Sequence, residues 1–523
     1  MQLLELYKEK VLGAMRGFDR VRFRGTLRWL ASERGIRSFV RTSGILLKDF
    51  GRWAREKTRR ARESCERQAA ALGIETIYLR SSAVNKEDMA RRIAERKGIV
   101  DGPIRTLSAV EMCKAPSVEG DRASRKLQLR VRPRKCVHVY CYFDDPEVGF
   151  GHVRLRTWLP LSVTICLNGR HWLEKQMRRE GLRYVKDGNC FPWVEDVTRV
   201  QELLDAQLRT HWPALLNRLA RACCPDLPSV LAPGEFPYYW SADETEWASD
   251  VMFRSALDLD ALYPTLVRHG LLISDSASVM RFLGKRNLTV SGKARGGWPR
   301  EIVSDLRRRH EGVRVKHSIN RNSVKMYNKS ASVPRFETTV NDTRDFKVFR
   351  PSEDDAKRPA SWQKTRKGVS DLHRRAQLSD QRNERYGDAI AAAQTRETLQ
   401  SVVGGACDPV VKNGKRHRAL NPWSAHDLQL LTFLAKGENV LNGFRNKDLR
   451  AYCNPQADSS DPVERKRLSG KATRAIRLPR AHGLVRKVRN VKRYVLTAKG
   501  QQFVTALLSA SHADVKALME MAA

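Results

Sequence analysis

Leu127-Gln-Leu-Arg-Val-Arg132 alternates apolar and polar side chains, and Cys136-Val-His-Val-Tyr-Cys-Tyr-Phe143 extends it as a β-branched and aromatic run. A period of two puts successive side chains on opposite faces, so this stretch reads as a half-buried strand. Asp144-Asp-Pro-Glu-Val-Gly149 supplies turn chemistry, and Val153 to Leu159 and Ser162 to Leu167 read as two more strands. A second cluster follows at Val313-Arg-Val-Lys-His317, Ser323-Val-Lys-Met-Tyr327 and Arg335-Phe-Glu-Thr-Thr-Val340. Two groups of short strands separated by helices predict an α+β fold: an antiparallel sheet core with flanking helices. Two smaller sheets are the alternative.

Outward from the strands, helices are expected. Leu3, Leu4, Tyr7, Val11, Leu12 and Met15 follow a helical period, and a longer helix is expected from about Lys48 to Ala71. Ile74 to Leu79 reads as a strand, and Asn85 as the cap of a helix. Further helices are expected at about 170–180, 196–222, 245–283 and 368–393. The domains predicted are a basic mixed region (1–120), the α+β core (121–350), a polar helical arm (351–420) and a separate C-terminal unit (421–523).

The 523 residues carry 97 Lys and Arg against 58 Asp and Glu, a net charge of +39. With 41% apolar residues the chain can build ordinary cores, which excludes disorder throughout. No apolar run is long enough to span a bilayer, and Glu5, Lys8 and Lys10 interrupt the first apolar stripe, unlike a signal peptide. A cytoplasmic protein without a membrane partner is expected. No Cys-x-x-Cys occurs among the ten cysteines, so reduced, mostly packing cysteines are expected. A charge this large favours a polyanion as partner, because phosphate neutralisation releases counterions.

In the C-terminal unit Ser424 can cap a helix ending at Gly437, Asn446 opens a second, and Arg465 to His482 forms a third. Leu484 to Val488 and Arg493 to Leu496 form a hairpin, and Thr497 caps a last helix. From Arg465 to Arg493 there are twelve Lys and Arg and no Asp or Glu. The run His482-Gly-Leu-Val-Arg-Lys-Val488 with Arg493-Tyr-Val-Leu-Thr-Ala-Lys-Gly500 resembles the recognition-helix end, wing and following helix of the MarR-like winged helix-turn-helix family. Pro479 departs from that pattern, because proline inside a helix removes a hydrogen bond. The resemblance implies nucleic-acid contacts from Lys471, Arg474, Arg477 and Arg480 on the helix. On the wing it implies Arg486, Lys487, Arg489, Lys492 and Arg493. Duplex DNA is the first expectation and structured RNA the second.

Catalytic candidates are Asp144 and Asp145 at a strand end and Glu337 in the second cluster. Carboxylates so placed hold Mg²⁺ or Mn²⁺ for phosphodiester chemistry, with Asp145 and Glu337 as metal ligands; ordinary turn residues are the alternative. Tyr327-Asn-Lys329 followed by Arg335-Phe-Glu337 resembles the late strands of rolling-circle replication initiators, which implies Tyr327 near the chemistry. That family's His-hydrophobic-His motif is absent here, and a core aromatic is the other reading of Tyr327. Arg130, Arg132 and Arg134 share one strand face, and Lys293, Arg295 and Trp298 sit in a glycine-basic loop; both suit a nucleic-acid backbone or a solvated surface.

The whole chain resembles bacterial mobile-element or plasmid-type proteins. That implies nucleic-acid binding with metal-dependent strand cleavage, as in a transposase or replication initiator. A non-catalytic scaffold for structured RNA, or a winged-helix transcription regulator, is the alternative.

Overall fold

The computed structural model describes residues 2–231, 237–272, 303–310, 312–351, 359–391, 399–412, 414–436, 439, 443–455, 461–488 and 492–511. Both strand clusters join one sheet of eleven strands. In chain order the strands are β1 (Val11–Thr26), β2 (Thr76–Leu79), β3 (Gly102–Asp121), β4 (Lys126–Asp145), β5 (Gly149–Arg156) and β6 (Val163–Asn168). A separate hairpin, β7 (Tyr184–Asp187) and β8 (Cys190–Val194), precedes β9 (Tyr239–Phe253), β10 (Val303–Arg309), β11 (Gly312–Ile319), β12 (Asn322–Lys329) and β13 (Val333–Val340). The order across the sheet is β10-β11-β12-β13-β9-β1-β6-β5-β4-β3-β2. Every pairing is antiparallel except β2 with β3.

The centre of the sheet is where the helical expectations fail. The helical period over residues 3–15 holds only for α1 (Gln2–Leu6), and β1 begins at Val11. Gly13 and Gly17 weaken a helix there, and Arg20, Arg22 and Arg24 alternate with Val21 and Phe23 as a strand requires. Likewise residues 239–253, mostly expected as helix, form β9, buried along nearly its whole length between β1 and β13. Only then does α8 (Ala256–Leu272) start.

Helices cover the faces of the sheet. Against the apolar face, α2 (Glu33–Thr42), α3 (Phe50–Ala71) and α7 (Trp212–Cys223) bury Phe39, Phe50 and Leu216 on Phe23, Val153 and Ile165. On the opposite face, α4 (Lys86–Lys97), capped by Asn85, closes over Leu107 and Tyr142. There α5 (Gly169–Arg179) and α6 (Val197–Gln207) cover Met15 and Met252.

Two expected boundaries do not separate units. Residue 120 lies at the tip of the β3–β4 hairpin, so 1–120 and 121–350 share the sheet. The helix of the polar arm, α9 (Leu372–Ala391), packs Tyr386 and Ile390 on Val324 and Phe336. Its buried Asn383 donates Nδ2 to the carbonyls of Trp247 and Phe336, both at 2.9 Å. A disulfide joins Cys141 on β4 to Cys223 on α7, which corrects the expectation of reduced cysteines for that pair.

The C-terminal residues build their own core. After α10 (Leu399–Gly404) come α11 (Ala425–Ala435), α12 (Asn446–Cys453), α13 (Pro462–Ala481), a hairpin of Val485–Lys487 with Tyr494–Leu496, and α14 (Ala498–Ser511). Leu431, Phe433, Phe444, Ile476, Leu484 and Phe503 meet at its centre. Pro479 is accommodated in the last turn of α13 with its ring buried. No helix among the described residues is long and apolar enough to cross a membrane.

Candidate functional site

The polar face of β1, β9, β13 and β12 gathers ionisable side chains at the middle of the sheet. Cross-strand register sets them there: Arg20 faces Glu246, Arg335 faces Asp250, Lys325 faces Glu337 and Tyr327 faces Arg335. Directly opposed residues share a face, so these groups converge. Asp19 enters through an irregularity in the β1–β9 register between Phe18 and Arg20.

The base of the cluster is buried. Arg335 donates to Asp250 through Nε (2.5 Å) and Nη2 (2.9 Å) and to Asp19 Oδ2 through Nη1 (3.2 Å). Arg170 at the start of α5 adds its Nη2 3.0 Å from Asp250. Asn168 and Asn189 donate to Asp19. Burial raises the Asp19 pKa, but the Arg335 and Arg170 charges outweigh it and hold Asp19 below the ordinary carboxylate range.

Beside it lies a second, partly exposed group of charges. Arg20, 47% exposed, donates Nη2 to Glu244 (2.8 Å) and Glu246 (3.3 Å). Lys325 Nζ sits 2.6 Å from Glu337 and 3.8 Å from Glu246. Burial and the neighbouring Glu337 carboxylate push Glu246 up to about 7. Arg22 pairs with Glu244 and Arg24 with Asp243. This group is therefore nearly charge-balanced, and Arg20 already bridges the two carboxylates that a cation would need.

The predicted catalytic residues divide. Tyr327 donates its hydroxyl to Glu337 Oε2 at 2.7 Å, so these two are together. Tyr327 is only 4% exposed and Glu337 fully buried; burial first, then the Glu337 charge, raises the phenol pKa. A phenol so enclosed and protonated is a poor nucleophile. Asp144 and Asp145 lie elsewhere. Five strand-to-strand steps separate β13 from β4, roughly 24 Å along the sheet. Asp144 pairs with Lys175 at 2.7 Å. Asp145 takes Arg218 at 2.7 Å and the N–H groups of Glu147 and Val148, the contacts of a turn residue. The expected metal pair Asp145 and Glu337 is thus not assembled. Among the described residues no group of three or more His, Cys, Asp or Glu is placed to hold a metal. His138 and His152 are held down to about 4, chiefly by burial.

The basic candidates also divide. Arg130, Arg132 and Arg134 do share one face of the β3–β4 hairpin, but acids face them: Glu33 stands 3.9 Å from Arg130, and Glu119 stands 3.8 Å from Arg132 and 3.4 Å from Arg134. Lys293, Arg295, Trp298 and Arg489 lie outside the described residues. On α13, Leu468, Ala472 and Ile476 face the core while Lys471, Arg474 and Arg477 are exposed, with no ion pair among the described residues. Arg480 is exposed beside the hairpin, 5.7 Å from the Tyr494 ring centroid. Arg486, Lys487 and Lys492 are exposed, and Arg493 donates to Gly443 O at 3.2 Å.

Sequence reasoning missed Asp19, Arg20, Glu244, Glu246, Asp250 and Lys325. The available signal was the alternation of Arg20-Arg22-Arg24 and Glu244-Glu246 with buried residues. Comparison with protein-family models, curated proteins and solved structures finds no match to this chain.

Proposed function

We propose that this chain binds nucleic acid, setting α13 and the adjoining hairpin of its C-terminal unit against a duplex in the manner of a winged helix-turn-helix. The observation that carries the reading is the solvent face of α13. Lys471, Arg474 and Arg477 stand exposed there with no ion pair among the described residues, unlike the acid-matched arginines of the sheet. Cations of this kind gain most from phosphates, because no acid among the described residues competes for them. The order helix, helix, helix, hairpin, helix supports the same reading, since the third helix would enter the major groove and the hairpin would follow the backbone. A nucleic-acid partner fits a cytoplasmic location. Binding rather than strand cleavage is proposed, because Asp145 and Glu337 stand on strands five steps apart.

The test measures affinity of the full chain for labelled duplex DNA and duplex RNA across a salt series. The Arg474→Glu, Arg477→Glu double variant is expected to weaken binding by roughly tenfold or more and to flatten the salt dependence. Which duplex binds more tightly decides between DNA and RNA. A double variant that binds both as the wild type does would remove α13 from the interface.

A further inference from the structure

We propose that Cys113 is a thiol-modification site, a reactive thiolate that exchanges with low-molecular-weight disulfides of the glutathione class, with Cys136 as its positioning thiol. Cys113 lies on β3 directly across the ladder from Arg134 on β4, and Cys136 lies two residues along β4 on the same face. The Cys136 Sγ stands 4.0 Å from the carbonyl oxygen of Arg134, so it leans toward Cys113. Cys113 is half-exposed and Cys136 buried, which leaves one sulfur accessible and the other behind it.

The surroundings are cationic. Arg156 donates Nη2 to the carbonyl of Lys114, the residue after Cys113. Arg154, also from β5, stands 2.6 Å from Glu111, two residues before it. The groups on the face of Cys113 are thus Glu111 on β3, Arg134 and Cys136 on β4, and Arg154 and Arg156 on β5. Glu111 is already engaged by Arg154, Lys86 and the Tyr140 hydroxyl. A hydrogen bond from the Cys136 thiol outweighs burial, and with the Arg156 and Arg154 charges draws Cys113 down to about 7. Cys136 moves the opposite way, raised first by that same bond and then by burial. Reactive thiols occupy such partly exposed, electropositive places, and inert structural thiols do not.

In the exchange, the Cys113 thiolate attacks one sulfur of glutathione disulfide. One S–S bond forms, the original one breaks, and the second glutathione leaves as a thiolate that takes a proton from water. Once Cys113 is capped, the bond to it that raised Cys136 is gone. The Cys136 sulfur, losing its proton to water, attacks the Cys113 sulfur, and the Cys113–glutathione S–S bond breaks. Glutathione leaves as a thiolate that takes up a proton as a Cys113–Cys136 disulfide forms.

The test treats the native full chain with glutathione disulfide and separately follows iodoacetamide alkylation from pH 5.5 to 9, about the window in which a lowered thiol titrates, reading each cysteine by peptide mass. Cys407 and Cys453 are internal controls: both are half-exposed, and burial raises both thiols. Cys113 is expected to react at pH 7 about tenfold faster than either control, with its rate inflecting near 7. Arg156→Gln is expected to move that inflection upward. Glutathione on Cys113, or a Cys113–Cys136 disulfide, supports the site. A Cys113 that reacts no faster than Cys407 and Cys453, or that inflects in the ordinary thiol range, overturns it.

Discussion

Arg335 and Asp250 form a two-point ion pair across β13 and β9, Nε to Oδ1 at 2.5 Å and Nη2 to Oδ2 at 2.9 Å, with both side chains wholly buried. Such a pair returns its desolvation cost only while both partners are present. Removing Arg335 leaves two buried carboxylates, Asp19 and Asp250, with Arg170 as the cation left between them in the middle of the sheet.

Arg335→Ala is therefore expected to destabilise the body by about 3–5 kcal/mol. Lysine cannot reproduce the planar fork, so Arg335→Lys is expected to recover only part of the loss. Urea unfolding followed by tryptophan fluorescence measures both. An alanine variant as stable as the wild type would show that the pair contributes nothing to holding β13 on β9.

Glu246 gives this charge cluster a pH signature. Its carboxyl is pushed up to about 7 in the folded chain by burial and by Glu337, from an unfolded value near 4.5. Between those values the folded state binds more protons than the unfolded one, so this group's contribution to stability falls as pH rises from 4.5 to 7. Glutamine mimics the protonated form. Glu246→Gln is expected to be stabilising above pH 7, by on the order of 1–3 kcal/mol, and close to neutral near pH 4.5. Melting temperatures of both proteins across that range would show it, and a constant difference would refute the assignment.

Gly500 tests the independence of the C-terminal core. A Cβ there would meet the Leu484 carbonyl oxygen at 1.9 Å, a backbone contact that cannot rotate away. Gly500→Ala is expected to force α14 from the hairpin and cost the C-terminal unit about 1–3 kcal/mol or more. Hydrogen exchange should rise over α11 to α14 while β1 and β9 keep their protection. Equal loosening of the sheet would mean that the two cores unfold together.

Local pattern alone was enough for much of this fold. The alternation through Leu127–Phe143 set β4, Asn85 announced α4, and the C-terminal helices and hairpin fall where caps and glycines mark them. Exposed Lys471, Arg474 and Arg477 were also legible, because a helical period separates them from Leu468, Ala472 and Ile476. The centre of the sheet was not. β1 and β9 lie at the centre of the sheet between β6 and β13, so burial there follows from neighbours distant in the chain. The alternation of Arg20, Arg22 and Arg24 is short and is preceded by Gly13, Gly17 and the irregularity at Asp19. Asp19, Asp250 and Arg335 are hundreds of residues apart in part, and only register brings them together. The same register sets Asp145 five strands from Glu337, and strand order arises from non-local pairing, which no local motif encodes.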